Sequence, residues 1–464
     1  MENNEQYDYI VYGTGLTESI LVCACSVKNT VLNVDINPYY GKDYGSLRWD
    51  ELKKWAKELK SNTVYYDSEL IINNEEAMEK PKMYYFSLTP SLIYCKSKII
   101  DLIISFNLQL YLHFKSFESS LIYDELYENG FSEILYTKEM LAFNKNVDFI
   151  WKRRVMRFIE FIYDITSEKS QEILKGHDDD LFVDFISSEP FSLPTLYTNM
   201  FVYGIALSYL PNITVKEALP KIRQFFLSLG VFIKFAILNC SFGGGSELIQ
   251  ALSRNAALKG ATFVLKKRIT SYNIDDKEEY PVTVTFDDNQ KIKCKKLITS
   301  YQIGNYQPNT IILDEIPLLR SICLVKGDLS RILKKNTSII CSFPPHSLKS
   351  NEYPVQVIID GSATGNCPNG QYIIYASTLT ATKEKISILS AIQAILRVAS
   401  INTSTSPEII FTLTYFQHPI RTEPLYSQHL IPVQGISFNI DFNQDINHAS
   451  DIYRFLFNQD LSFS

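Results

Sequence analysis

Residues 7–35 leave few folds open. Tyr9, Ile10, Val11 and Tyr12 form a short apolar run that stops at Gly13. Leu16 to Val27 has helical apolar spacing, and Thr30 to Val34 is a second β-rich run closed by Asp35. Strand, glycine turn, helix, strand and an acid about 20 residues after the glycines make the format of a dinucleotide-binding βαβ unit. The glycines depart from it. The fingerprint requires G-x-G-x-x-G or A, and the chain reads Gly13-Thr14-Gly15-Leu16-Thr17-Glu18. A small third residue lets helix and strand pack beside the pyrophosphate, whereas Glu18 brings bulk and a negative charge. Like charges about 4 Å apart repel by roughly 4 kcal/mol at an effective dielectric near 20. The expectation is a scaffold that has kept its fold without a cofactor, with Gly13, Gly15 and Glu18 as a degenerate remnant.

Other classes fall to composition. At about 150 residues per domain, 464 residues make about two or three domains. With 46% hydrophobic and 21% charged residues, the chain is globular rather than disordered. A net charge of −6 argues against a nucleic-acid partner, which calls for a basic surface. No apolar run reaches the roughly 18 residues of a membrane span, and the acidic start MENNEQYDYIV does not read as a signal peptide. The eight cysteines contain no C-x-x-C pair and the six histidines are dispersed, so no metal site and a reducing, cytoplasmic setting are expected. No nucleophile–base set stands out, and no catalytic residue is assigned.

The remaining pattern divides the chain. Residues 87–115 read as an amphipathic helix and then a strand, with the stripe Leu92, Ile99, Ile100, Ile103 and Ile104. From 138 to 232 the spacing is helical throughout: Ile150, Trp151, Val155, Phe158, Ile159 and Ile162 form one face, and Lys152, Arg153, Arg154 and Arg157 the other. Thr195 to Leu210 is apolar nearly all round and reads as one buried helix. After 233 the α/β grammar returns, with a hairpin over 283–299, strands at 338–343, 355–359, 372–377 and 409–415, and helices at 383–398 and 449–456. The predicted fold class is α/β: a discontinuous FAD-binding-like, Rossmann-type multi-sheet domain (1–137 and 233–464) with an inserted all-helical domain (138–232).

The densest signal is Ser241-Phe-Gly-Gly-Gly-Ser-Glu247-Leu-Ile-Gln250-Ala-Leu-Ser-Arg254. No Lys-Ser/Thr follows the glycines, which excludes a P-loop. Glu247, Gln250 and Arg254 share one helical face, either as an intrahelical salt bridge or as a polar rim offered to a partner.

These segments carry a family resemblance. YDYIVYGTGLTESIL, VLNVDINPYYG (31–41) and FGGGSELIQALSRNAALKGATFVL (242–265) resemble the GDP dissociation inhibitor and Rab escort protein superfamily, a flavoprotein scaffold that has lost its flavin. SLRWDELKKW (46–55), TVKEALPKIRQFF (214–226), FPPHSLKS (343–350) and CPNGQYIIYAST (367–378) look more like the escort branch. Departures from the superfamily pattern are Phe242 and Phe263 for Tyr, and Lys259 for Gly.

The resemblance implies a platform for Rab small GTPases at Tyr40, Glu247, Arg254, Thr262 and Val264. It implies a non-catalytic accessory role: binding of newly made GDP-bound Rab, presentation to the type II geranylgeranyltransferase heterodimer, and delivery of the product through transient membrane contact. The geranylgeranyl group needs an apolar slot, for which Met200, Phe201, Ile205 and Leu207 in the helical insert are candidates. The helix Lys216–Leu229 is the expected prenyltransferase contact. Two alternatives stand beside this reading: a Rab GDP dissociation inhibitor that recycles prenylated Rab, and a flavin-dependent oxidoreductase.

Overall fold

The glycine turn does open a βαβ unit. In the computed structural model, strand Gln6–Tyr12, helix Leu16–Cys25 and strand Val31–Asp35 follow in order. The structure describes residues 5–461 except 60–63, 126, 128–129, 146, 305–309, 313–315, 349, 402–405, 419, 423–425, 435–437 and 439. The first two strands pair in parallel, Tyr9 beside Val31 and Tyr12 beside Val34. They lie in a seven-stranded sheet whose outer edge is the strand Thr262–Leu265. That edge strand runs parallel to Val31–Asp35, with Thr262 opposite Leu32 and Val264 opposite Val34. The hairpin appears as Val282–Phe286 and Lys291–Thr299, the latter pairing in parallel with the first strand.

A ten-stranded mixed sheet forms the second layer, with Leu318–Lys326, Gln371–Leu379 and Val355–Asp360 at its centre. The strands expected at 338–343, 355–359, 372–377 and 409–415 all belong to it. Among the described residues, every helix or strand between Lys138 and Ser228 is helical. These helices share one core with a face of the large sheet, Phe158 and Phe201 belonging to the same cluster as Ile340, Ile358 and Tyr375. The molecule is thus mixed α/β, as its sequence pattern indicates.

Two local expectations need correction. The amphipathic helix begins at Lys98, so Leu92 is buried outside it, and Ile104 is 56% exposed rather than part of the apolar stripe. Thr195–Leu210 is not one α-helix: α geometry holds over Thr195–Asn199 and widens to a π-helix over Met200–Ile205. The wide turn presents the Tyr203 carbonyl to Ser342 Oγ (2.9 Å) and Gln356 Nε2 (3.0 Å) of the sheet. Three of the four cations on the basic face of Phe149–Tyr163 donate within the chain. Lys152 Nζ donates to Ala142 O (3.0 Å), Arg154 Nη1 to Ser192 O (2.7 Å) and Arg157 Nη1 to Pro190 O (2.9 Å).

Candidate functional site

The nucleotide cradle is filled by the chain's own side chains. Glu18, 3% exposed, folds back over the glycines and accepts from Ser300 Oγ at 2.5 Å. A Cβ placed on Gly13 or Gly15 would lie 2.6 Å from its carboxylate oxygens, the space a pyrophosphate would need. Burial pushes this carboxyl above the usual carboxylate range, against the pull of Lys42 and the Ser300 hydroxyl. Asp35, the acid that would meet a ribose, is fully buried and engaged. It accepts from Thr14 Oγ1 (2.6 Å), the Asn37 backbone N–H (2.8 Å) and Tyr301 OH (3.1 Å). What remains beside Gly15, Glu18, Lys42 and Asp445 is a cavity of about 10 Å³. Sites for organic ligands measure about 300–1,000 Å³. A flavin dinucleotide does not fit these residues.

The cradle instead anchors the C-terminal helix, Asn443–Phe457. Tyr44 OH donates to Asp445 Oδ2 (2.7 Å), and Thr17 Oγ1 to the Asp445 carbonyl (3.2 Å). Burial, reinforced by Glu18 and Asp43, pushes the Asp445 carboxyl up to about 7, against the Tyr44 hydroxyl.

The exposed chemistry lies on the platform helix Gly245–Leu258 and around it. The loop before it needs its glycines: Phe242, Gly243 and Gly244 all have positive φ, at 62°, 125° and 64°. A buried hub on the large sheet holds this loop. Asp360 accepts from Ser338 Oγ (2.7 Å), Asn239 Nδ2 (2.9 Å) and Asn366 Nδ2 (2.8 Å), and Asn366 Oδ1 accepts the Gly243 N–H (2.9 Å). Phe242 is thereby held 44% exposed, edge-on to Tyr85 and His113 with ring centroids 6.2 and 6.3 Å apart.

Glu247 is half-buried and accepts from Gln250 Nε2 at 3.2 Å. Burial pushes its carboxyl up, opposed by Arg48, the Gln250 hydrogen bond and His113. Arg254 does not close a salt bridge to Glu247; its guanidinium lies over the Tyr111 ring, 4.5 Å from the centroid. The intrahelical salt bridge is therefore not formed on this face. Lys259 rests over the Phe106 ring at 4.8 Å, so its departure from glycine is absorbed at the helix end.

The remaining platform candidates separate. Tyr40 meets Phe263 edge-on at 6.1 Å, on the side where the Leu16–Cys25 and platform helices pack. Strand alternation turns Thr262 and Val264 the other way, Val264 against Ile10 and Val34. Met200, Phe201, Ile205 and Leu207 are all at most 4% exposed. Phe201 packs edge-on to Phe158 at 4.7 Å, and Leu207 lines a cavity of only about 40 Å³. Sequence reading missed Arg48, Tyr85 and His113. Arg48 sits 3.5 Å over the Tyr85 ring, and the three come from separate loops with no shared spacing to announce them.

The GDP dissociation inhibitor family profile matches residues 3–459. The chain belongs to the GDP dissociation inhibitor family. A family relative from Candida albicans, "Rab proteins geranylgeranyltransferase component A", is 30% identical over 421 residues, covering 87% of this chain and 64% of the relative. This family member therefore spans about two thirds of that relative's length. A RAB GDI from Plasmodium falciparum superposes with a TM-score of 0.74 at 18% identity, over 99% of this chain and all of that one. An oxidoreductase from Methanosarcina mazei superposes at 0.61 and 10% identity, over 96% and 99%. At such identities the two structures establish a shared fold.

Proposed function

We propose that this chain is a Rab escort protein, a non-catalytic accessory subunit of Rab geranylgeranylation working in the cytoplasm. It binds newly made GDP-bound Rab through Glu247, Arg254, Tyr40 and the edge strand with Thr262 and Val264. It presents that Rab to type II geranylgeranyltransferase through the helical domain (138–232), with the helix around Lys216–Leu229 as the contact. It then carries the prenylated product to membranes. One observation carries the reading: the cradle that a redox enzyme needs is occupied by Glu18 and Asp35, while a polar and aromatic face stands open around Glu247. The name of the Candida albicans relative supports the escort role over other uses of that face.

Exposing a chain of about twenty carbons to water costs well over 10 kcal/mol at roughly 0.8 kcal/mol per CH₂. The carrier must cover it. Met200, Phe201, Ile205 and Leu207 are core side chains in the closed form, so lipid entry there requires the helices to part.

The second reading, a Rab GDP dissociation inhibitor, draws on the whole-chain likeness to the Plasmodium falciparum RAB GDI. A reconstituted prenylation assay separates the two. Unprenylated Rab, the prenyltransferase heterodimer and geranylgeranyl diphosphate are combined with and without this chain. Transfer that depends on the chain is expected. Absence of transfer, alongside binding of prenylated Rab, would leave the recycling inhibitor.

A further inference from the structure

The strand Phe114–Tyr123 carries a β-bulge where it pairs with Ser338–Phe343. Phe117 lies beside Ser338 and Ser120 beside Ile340, so one strand advances three residues while its neighbour advances two. Phe117 and Ser120 both face the helical insert: Phe117 belongs to the same core cluster as Phe158, and Ser120 Oγ donates to Gly204 O at 3.0 Å. The extra residue leaves Glu118 and Ser119 together on the opposite face, beside the loop 328–337. Bulges re-aim side chains in this way, often next to binding sites.

Glu118 fixes that loop. Its carboxylate accepts the backbone N–H groups of Lys334 (2.8 Å), Lys335 (2.7 Å) and Thr337 (3.3 Å). Asn336, at a positive φ of 54°, accepts from Tyr372 OH through its Oδ1 at 3.1 Å. The side chains of Lys334 and Lys335 therefore leave a backbone that is already held. Among the described residues, neither ammonium group forms an ion pair or a hydrogen bond.

Both lysines line a cavity of about 300 Å³, with Ser119, Glu133 and Arg331 also on its wall. That volume is the size of an organic-ligand site. Ser119 is only 7% exposed, and among the described residues its hydroxyl has no partner, so it is a nearly buried polar group that opens into the cavity. Glu133, exposed at the end of the strand Phe131–Glu133, can only accept. The wall thus offers two cations for anionic groups, a hydroxyl that donates or accepts, and a carboxylate that calls for a donor. A bare inorganic anion would use the first and be repelled by the last. A polyol carrying phosphates uses all three.

We propose that this cavity binds a phosphorylated polyol, with phosphates on the Lys334 and Lys335 ammonium groups and hydroxyls on Ser119 and Glu133. Free polyol phosphates and the inositol headgroups of phospholipids share this chemistry. The site lies on the face of the large sheet away from the helical insert, where Leu121 packs toward the cluster that contains Val398. It shares no residue with the cradle or with the face around Glu247.

The test is titration calorimetry of the full chain with inositol trisphosphate, beside flotation with phosphatidylcholine vesicles that carry or lack phosphatidylinositol bisphosphate. Saturable binding of the free trisphosphate is expected. Replacing both lysines, Lys334→Gln with Lys335→Gln, should weaken it by about 100-fold or more. Ser119→Ala should weaken it by about three- to tenfold, an effect that loose attraction between surface lysines and phosphate would not produce. Melting curves check that the variants fold, and if Ser119→Ala does not, the lysine variant decides. Flotation that requires the inositol lipid assigns the ligand to a membrane headgroup, and binding of the trisphosphate without flotation assigns it to a soluble polyol phosphate; either supports the site. No binding of the trisphosphate by the wild type, or an unchanged affinity in the lysine variant or in folded Ser119→Ala, overturns the proposal.

Discussion

Glu18 acts through position as much as through charge. Its side chain closes over Gly13 and Gly15, and it faces Asp445, whose carboxyl is pushed up to about 7. The sign of the resulting pH dependence follows directly. A carboxyl whose folded-state value is raised from 3.8 contributes stability that is fully present below about pH 4 and lost as pH rises to about 7. Asp445→Asn keeps a neutral group beside Tyr44 at every pH. Its urea midpoint is expected to fall less between pH 5 and 7.5 than the wild type's, and to be relatively higher at pH 7.5. Equal slopes for the two proteins would count against this reading of the cradle. Glu18 and Asp441 are also raised by burial, so part of the slope should remain in the variant.

At the level of elements, the edge strand Thr262–Leu265 divides what the motif joins. Tyr40 and Phe263 share the helix side, whereas Thr262 and Val264 face away. A double-mutant cycle on binding of GDP-bound Rab should therefore give Tyr40→Ala and Phe263→Ala a coupling of about 0.5 kcal/mol or more, and leave Tyr40→Ala with Val264→Ala additive. The opposite pattern would place the contact on the other face. Strand alternation made this division readable once the strand was known; what the sequence lacked was the pairing with Val31–Asp35 that makes it an edge. The βαβ opening was legible because apolar run, glycines, helix and Asp35 follow one another locally. The π-turn was not, because Ser342 and Gln356, which hold the Tyr203 carbonyl, are more than a hundred residues away in sequence. Arg48, Tyr85 and His113 were hidden for the same reason: folding, not spacing, gathers them around Phe242 and Glu247.

On the scale of the whole molecule, the scaffold has a filled cradle inside and a polar and aromatic face around Glu247 outside. The sheet and βαβ unit of a dinucleotide fold are present, and the cavity beside Gly15 and Glu18 measures about 10 Å³. The large sheet now supplies the Asp360 hub that fixes the loop at Phe242, so the rigid core supports a surface rather than a cavity. Among the described residues no helix is long and apolar enough to cross a membrane. The central claim is that the face around Glu247 grips the GTPase. Its most direct test is titration of GDP-bound, unprenylated Rab against the wild type and Glu247→Lys by calorimetry, with both melting curves recorded. The account expects binding about 10–100-fold weaker in the variant at an unchanged melting midpoint. Equal affinity of the two proteins would contradict it and move the Rab contact elsewhere on the molecule.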